Sequence, residues 1–130
     1  MKILAIDYGT RTVGLAAADT AVPVALPRAA LTVRNDQDAL EQVLRVLREE
    51  PCGLVLVGLP AVRDPERSWI VKKARAFADR LREASGLPVE TVDETLSSRD
   101  AAARLRPGAP ADAVDSGAAA LILEAWLVRC

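Results

Sequence analysis

Three carboxylates stand where chain turns could gather them: Asp7, Glu94 and Asp115. Asp7 closes the short apolar run KILAID beside Gly9. Glu94 follows the run Val89 to Val92, next to Asp93, and Asp115 falls at or just inside the start of the last helical segment. A carboxylate at the end of a buried strand is costly unless it meets a cation or hydrogen-bond donors. Three converging carboxylates form a hard, all-oxygen site suited to Mg²⁺ or Mn²⁺. Two such ions about 3.5–4 Å apart can activate water and stabilise the leaving oxygen in phosphodiester cleavage. The chain has no histidine, which excludes His-dependent triads, His-ligated zinc and imidazole acid–base pairs. Each acid also has a plainer role. Asp7 could form an Asx-turn at YGT, Glu94 could stand in solvent, and Asp115 or its neighbour Asp112 could simply favour a helix N-terminus. The acids gain meaning in combination.

A second set of residues could hold phosphate. Gly9, Thr10 and Arg11 form a turn able to approach a phosphate, with Arg11 adding charge. Lys72, Lys73 and Arg75 lie on a helical stretch whose default state is a solvated face. Overall charge is nearly balanced, with 17 Lys+Arg against 18 Asp+Glu, a net −1, and pI near 5.5. That excludes a generic nucleic-acid coat. The distribution is uneven, because seven basic residues face three acidic ones between Arg63 and Arg82. This local excess favours contact with a phosphate backbone. The aromatics are Tyr8, Trp69, Phe77 and Trp126, too few for a base-stacking sheet of the RNA-recognition kind.

The elements that must position these groups follow from periodicity. KILAID (Lys2 to Asp7) reads as a buried strand, and VGLAAAD (Val13 to Asp19) as its antiparallel hairpin partner. Pro23 and Pro27 punctuate the chain before a third, edge strand at Ala29 to Val33. Asn35 or Asp36 caps a helix whose apolar positions Leu40, Val43, Leu44 and Leu47 recur at helical spacing, and Pro51 stops it. GLVLVG (Gly53 to Gly58) is apolar enough for a strand covered on both faces. A helix from Ser68 to Ala84 places Ile70, Ala74, Phe77 and Leu81 on one side and ends at Gly86 and Pro88. VETV (Val89 to Val92) is the fifth strand. A short helix through Leu105, a breaker at RPGAPA and a last helix from Asp112 or Ala113 to Val128 complete the order. Three leading strands as an antiparallel meander, then parallel strands in αβ units, predict an α/β fold: a five-stranded mixed sheet with helices on both faces. In such sheets, sites gather beyond the carboxyl ends of the strands.

At 130 residues, with 51% hydrophobic and 27% charged, the chain is expected to form one domain spanning 1–130 with an ordinary packed core. Cys52 reads as a buried small hydrophobe and Cys130 as a terminal residue. Their spacing matches no CxxC or zinc pattern, which fits a reducing cytoplasm. There is no apolar run of membrane-spanning length and no secretion-type start, so the expected location is cytoplasmic.

Five segments in order, IDYGTRTVGLAAAD (Ile6 to Asp19), LVLVGLP (Leu54 to Pro60), ARAFADRL (Ala74 to Leu81), VDETLSS (Val92 to Ser98) and AVDSGAAALILEAWL (Ala113 to Leu127), resemble the YqgF family, also called RuvX. The likeness covers essentially the whole chain. It implies an RNase H-like fold similar to RuvC resolvase and a metal-dependent nuclease. The substrate would be a Holliday junction in DNA recombination and repair or, alternatively, precursor 16S rRNA. By position, the family's acidic triad falls on Asp7, Glu94 and Asp115, and the VDS context selects Asp115 over Asp112. Arg11 matches the basic residue of the DxGTxxxG turn, and Arg75 the arginine before the FA pair. Two departures stand out. The family's DER triplet reads Asp93-Glu94-Thr95, with Arg99 about one helical turn on as a substitute. Its polar loop after VGLP reads Ala61-Val62-Arg63-Asp64-Pro65. Both bear on substrate contacts more than on the triad.

The expected partner is therefore nucleic acid, branched DNA or precursor rRNA. A junction resolvase needs two active sites and so a homodimer. Two other functions compete. One is a nucleotide-phosphate site of the actin and sugar-kinase kind, whose phosphate turn also reads DxGT but which needs two such domains. The other is a non-catalytic nucleic-acid-binding scaffold, against which the intact triad argues.

Overall fold

The computed structural model describes residues 1–60, 65–93 and 111–129. Five strands, β1 (Lys2–Asp7), β2 (Thr12–Asp19), β3 (Val22–Thr32), β4 (Leu54–Leu59) and β5 (Val89–Asp93), form one sheet in the order β3-β2-β1-β4-β5. β1–β2 and β2–β3 pair antiparallel; β1–β4 and β4–β5 pair parallel. This is the expected mixed sheet. Among the described residues three helices accompany it: α1 (Asp36–Glu49), α2 (Trp69–Ser85), preceded by a 3₁₀ turn at Pro65–Arg67, and α3 (Ala111–Arg129). Among the described residues no helix is long and apolar enough to cross a membrane. The expected short helix through Leu105 and the RPGAPA breaker lie outside the described residues.

β1 and β4 are apolar along their length because helices cover both faces. Alternation sends Leu4 and Ile6 of β1 toward α1 and α2, where they join Val13, Leu15, Val55, Val57, Val43, Phe77 and Leu81 in one core. Ile3 and Ala5 point the other way, into a second core with Leu56, Ala16, Ala18 and the α3 residues Ala119, Ile122 and Leu123. Both cores are shut to solvent.

Local signals set the helix ends. Asn35 is the N-cap of α1, its side chain accepting from the Asp38 backbone N–H at 2.8 Å, which satisfies one of the four N–H groups a helix start leaves open. Asp38 in return accepts from the Arg34 N–H at 2.9 Å. Gly86 ends α2 in the left-handed conformation (φ 71°), its N–H returning to the Arg82 carbonyl. Ser68 precedes α2 without a side-chain capping bond.

The third strand departs from expectation. It starts at Val22 rather than Ala29 and runs through Pro23 and Pro27. The reason is its place at the sheet edge, where it bonds only β2. A residue whose nitrogen faces the open side needs no N–H, so proline does not break the ladder there. Register shifts along the β2–β3 pairing absorb the remaining mismatch.

Candidate nuclease site

All three parallel strands end at one rim. Asp7 pairs with Gly58 of β4, and Leu59, one residue on, pairs with Asp93 of β5. With strands about 4.8 Å apart, the exit of β5 lies roughly 10 Å from that of β1 at the same edge. Glu94, the next residue after Asp93, lies outside the described residues. Asp7 is half-buried, and alternation places it on the face of Ile3 and Ala5, the face that α3 covers. Asp115 belongs to α3, in the second turn from its start. The far end of that helix is anchored by Trp126, whose indole N–H donates to Glu90 at 3.2 Å. Among the described residues no three His, Cys, Asp or Glu side chains gather to hold a metal; Asp7 is the one triad carboxylate described with its surroundings.

The turn between β1 and β2 is tight. A Cβ on Gly9 would lie 2.3 Å from the Thr12 carbonyl oxygen, so only glycine lets the backbone close here. Tyr8 leaves Asp7's face and points into the α1–α2 core, 4% exposed. Its ring lies 5.4 Å from that of Phe77, and its hydroxyl donates to Asp36 at 2.6 Å. Burial, then the hydrogen bond to Asp36 and that residue's charge, push the phenol pKa well above its ordinary value. Tyr8 thus ties the turn to the first residue of α1 as a neutral donor.

Beside this turn lies an open cleft of about 580 Å³. Thr10 and Arg11 line it from the turn, Arg34 from the segment just before the N-cap of α1, Asp36 and Gln37 from the first turn of α1, and Lys73 from α2. Lys73 Nζ stands 3.6 Å from Asp36, and Arg34 Nε 3.7 Å from Asp38. Arg80 donates to Gln37, bracing α2 against α1. Three cations share these walls with one carboxylate, Asp36, so the cleft carries a positive excess suited to a phosphate backbone. Of the residues proposed for nucleic acid, the structure brings Thr10, Arg11 and Lys73 together around this space, with Gly9 closing the turn. Lys72 and Arg75 are exposed and do not line it. Arg75 lies about 200° around the helix from Lys73. Arg34 and Gln37 were not singled out from the sequence. The signal available for them is adjacency to the N-cap Asn35, which marks a helix start but not what that start faces.

Cys52 is buried, as expected, and its thiol pKa is raised, chiefly by burial. It donates to the Glu50 carbonyl at 3.3 Å. These are the surroundings of a packing residue rather than a nucleophile.

The family model described as "RuvX: Holliday junction resolvase" matches residues 1–129. A curated protein of Anaeromyxobacter sp. (strain Fw109-5), named "Putative pre-16S rRNA nuclease", is 39% identical over 132 residues, covering 98% of this chain and 96% of its own. One of the same name from Oleidesulfovibrio alaskensis is also 39% identical, covering 98% and 92%. Among solved structures, Thermus thermophilus RuvC in complex with a Holliday junction substrate superposes with TM-score 0.65 at 20% identity, over 99% of this chain and 95% of that one. The yeast mitochondrial Holliday junction resolvase Ydc2 gives 0.63 at 13% identity, over 96% and 77%. These likenesses establish the RuvC-like, RNase H-type fold.

Proposed function

Since the chain belongs to the RuvX family, we propose that it is an endonuclease hydrolysing nucleic-acid phosphodiesters, with the four-way Holliday junction as substrate. The observation that carries this reading is the position of Asp7. It is a half-buried carboxylate at the carboxyl end of a central strand, one turn away from a cationic cleft. A second reading, cleavage of precursor 16S rRNA, is favoured by the names of the curated relatives.

Asp7, Glu94 and Asp115 would hold Mg²⁺ or Mn²⁺, and an all-oxygen set without histidine or thiolate fits those ions. When bound, such an ion supplies charge neutralisation at the scissile phosphate and a more acidic water. The chain's own residues do the rest. Asp7 marks the cutting point on the α3 side of the rim. Thr10, Arg11 and Lys73 grip the neighbouring backbone on the other side, and Tyr8 and Gly9 fix the turn between. Cutting both strands of a junction symmetrically takes two copies of the chain.

The test is cleavage of a labelled four-way DNA junction, precursor rRNA and plain duplex with Mg²⁺ or Mn²⁺, comparing wild type with Asp7→Asn. Paired, metal-dependent nicks in the junction that vanish in the variant are the expected result. Cleavage confined to RNA moves the function to rRNA maturation. Unchanged cleavage by Asp7→Asn overturns the site.

A further inference from the structure

Trp69 is the first residue of α2, and 47% of its surface is open to solvent. The other aromatics are occupied: Tyr8 and Phe77 are buried against each other, and Trp126 is bonded to Glu90. A large exposed ring costs hydration free energy with no packing in return, so its surroundings matter. α2 leaves from the side of the sheet where β4 ends, and it returns where the Pro88 carbonyl accepts from Val55 at the amino end of β4. Its first turn therefore stands at the same rim as Asp7. Trp69 and Lys73 are four residues apart, neighbours on one helix face. Side chains on a helix lean toward its N-terminus, which sends Lys73 toward the turn carrying Trp69. Lys73 also lines the cleft with Arg11 and Arg34. An exposed indole thus stands one helical turn from Lys73, which lines a three-cation groove that Trp69 itself does not line, a pairing of base-stacking surface and backbone grip that suits unpaired nucleotides.

We propose that Trp69 stacks on an unpaired base while Arg11, Arg34 and Lys73 hold the adjoining phosphates, so that this protein engages a single-stranded or splayed stretch of nucleic acid rather than continuous duplex. The proposal rests on the nuclease reading and narrows it. A base inside a duplex already stacks on its neighbours and offers no free face to an indole. The aromatic count rules out a stacking sheet but not one well-placed ring. Arg34 enters as a binding residue, its side chain 85% exposed with its Nε 3.7 Å from Asp38. The shared ligand chemistry, an unpaired base on a phosphodiester, is present in both DNA and RNA.

The experiment measures binding without divalent metal, so no cutting intervenes. Fluorescently labelled single-stranded DNA, single-stranded RNA of the same sequence, and duplex DNA are titrated by anisotropy, alongside tryptophan emission. Trp126→Phe leaves Trp69 as the reporter, and a thermal melt verifies that this variant is folded. The expected result is quenching by one or both single strands, weaker quenching by duplex, and about a tenfold loss of single-strand affinity in Trp69→Ala. Trp69→Phe should recover much of that loss, since phenyl still stacks. Arg34→Ala should reduce the slope of log affinity against log salt by about one. The stronger of the two single-strand arms names the substrate as DNA or RNA. Equal affinity of Trp69→Ala and wild type, or duplex quenching as strong as single strand, overturns the proposal. The nuclease reading fails separately: if Asp7→Asn cuts like wild type while Trp69→Ala binds weakly, the assigned site falls and the stacking role stands.

Discussion

On one face of the sheet, Leu4, Ile6, Leu15, Val55 and Val57 meet Phe77 and Leu81; on the other, Ala5, Ala16, Ala18 and Ala25 meet Ala119 and Ala120. The first face is a conventional core between sheet and two amphipathic helices, filled by large side chains. The second is richer in alanine, with Ile3, Leu56, Ile122 and Leu123 as its larger members, and small side chains at a contact let a helix approach its neighbour closely. Residues 7 and 8, adjacent in sequence, are divided between these faces. Asp7 points toward the alanine side, under the helix that carries Asp115. Tyr8 enters the large-residue side and ties the turn to α1. The two faces therefore split the work. One seats Asp7, and the other braces the cleft proposed to hold the strand.

The sharpest way to break this comparison is Asp7→Asn, which removes one carboxylate charge at constant size. Cleavage should fall to the metal-free background while the melting curve stays close to wild type; near-normal activity would show that the alanine side does not seat the chemistry. Next in size is Phe77→Ala, which empties the large-residue face. Phe77 is 1% exposed, and a loss of about 3–5 kcal/mol in urea unfolding is expected. The opposite change probes the opposite face: Ala119, 0% exposed, replaced by Leu should cost about 1–3 kcal/mol by overpacking, with cleavage reduced if α3 is displaced. A neutral Ala119→Leu would mean the alanine seam has slack.

The smallest effect is expected from Tyr8→Phe, which loses the 2.6 Å bond to Asp36, about 1 kcal/mol. Its pH signature is more informative. The folded phenol holds its proton far above the ordinary value of 10.0, whereas the unfolded phenol releases it near that value. Stability is thus intact below pH 10 and declines as pH rises beyond it. Removing the hydroxyl should make the alkaline decline of the urea midpoint shallower; an unchanged decline would place its origin elsewhere.

Much of the scaffold was legible before folding. The apolar runs KILAID and GLVLVG gave strands within a residue of their observed ends, and the Leu40–Val43–Leu47 spacing with Asn35 or Asp36 before it gave α1, whose cap the structure assigns to Asn35. β3 was legible as an edge strand but only over its last four residues, because Pro23 and Pro27 read as breakers although an open edge tolerates them. Asp7 and the Gly9 turn were legible because strand end and turn are contiguous. The cleft was not. Arg11, Arg34 and Lys73 come from three elements, and Lys72 and Arg75 look equally suitable in a linear reading. Helical rotation separates them, and only the packing of α2 against α1 says which rotation faces the turn.

The sequence by itself determined most local states: strand or helix from periodicity, helix ends from Asn35 or Asp36 and from Gly86, and a turn at Gly9. Tertiary structure decided which helix covers which face, that Tyr8 reaches Asp36, and that Lys73 joins Arg11 while Arg75 does not. The physical reason is the range of the forces involved. Propensity, capping and steric limits act within a few residues of chain. Side chains from distant segments meet only once burial of two separate apolar faces has fixed where each element lies.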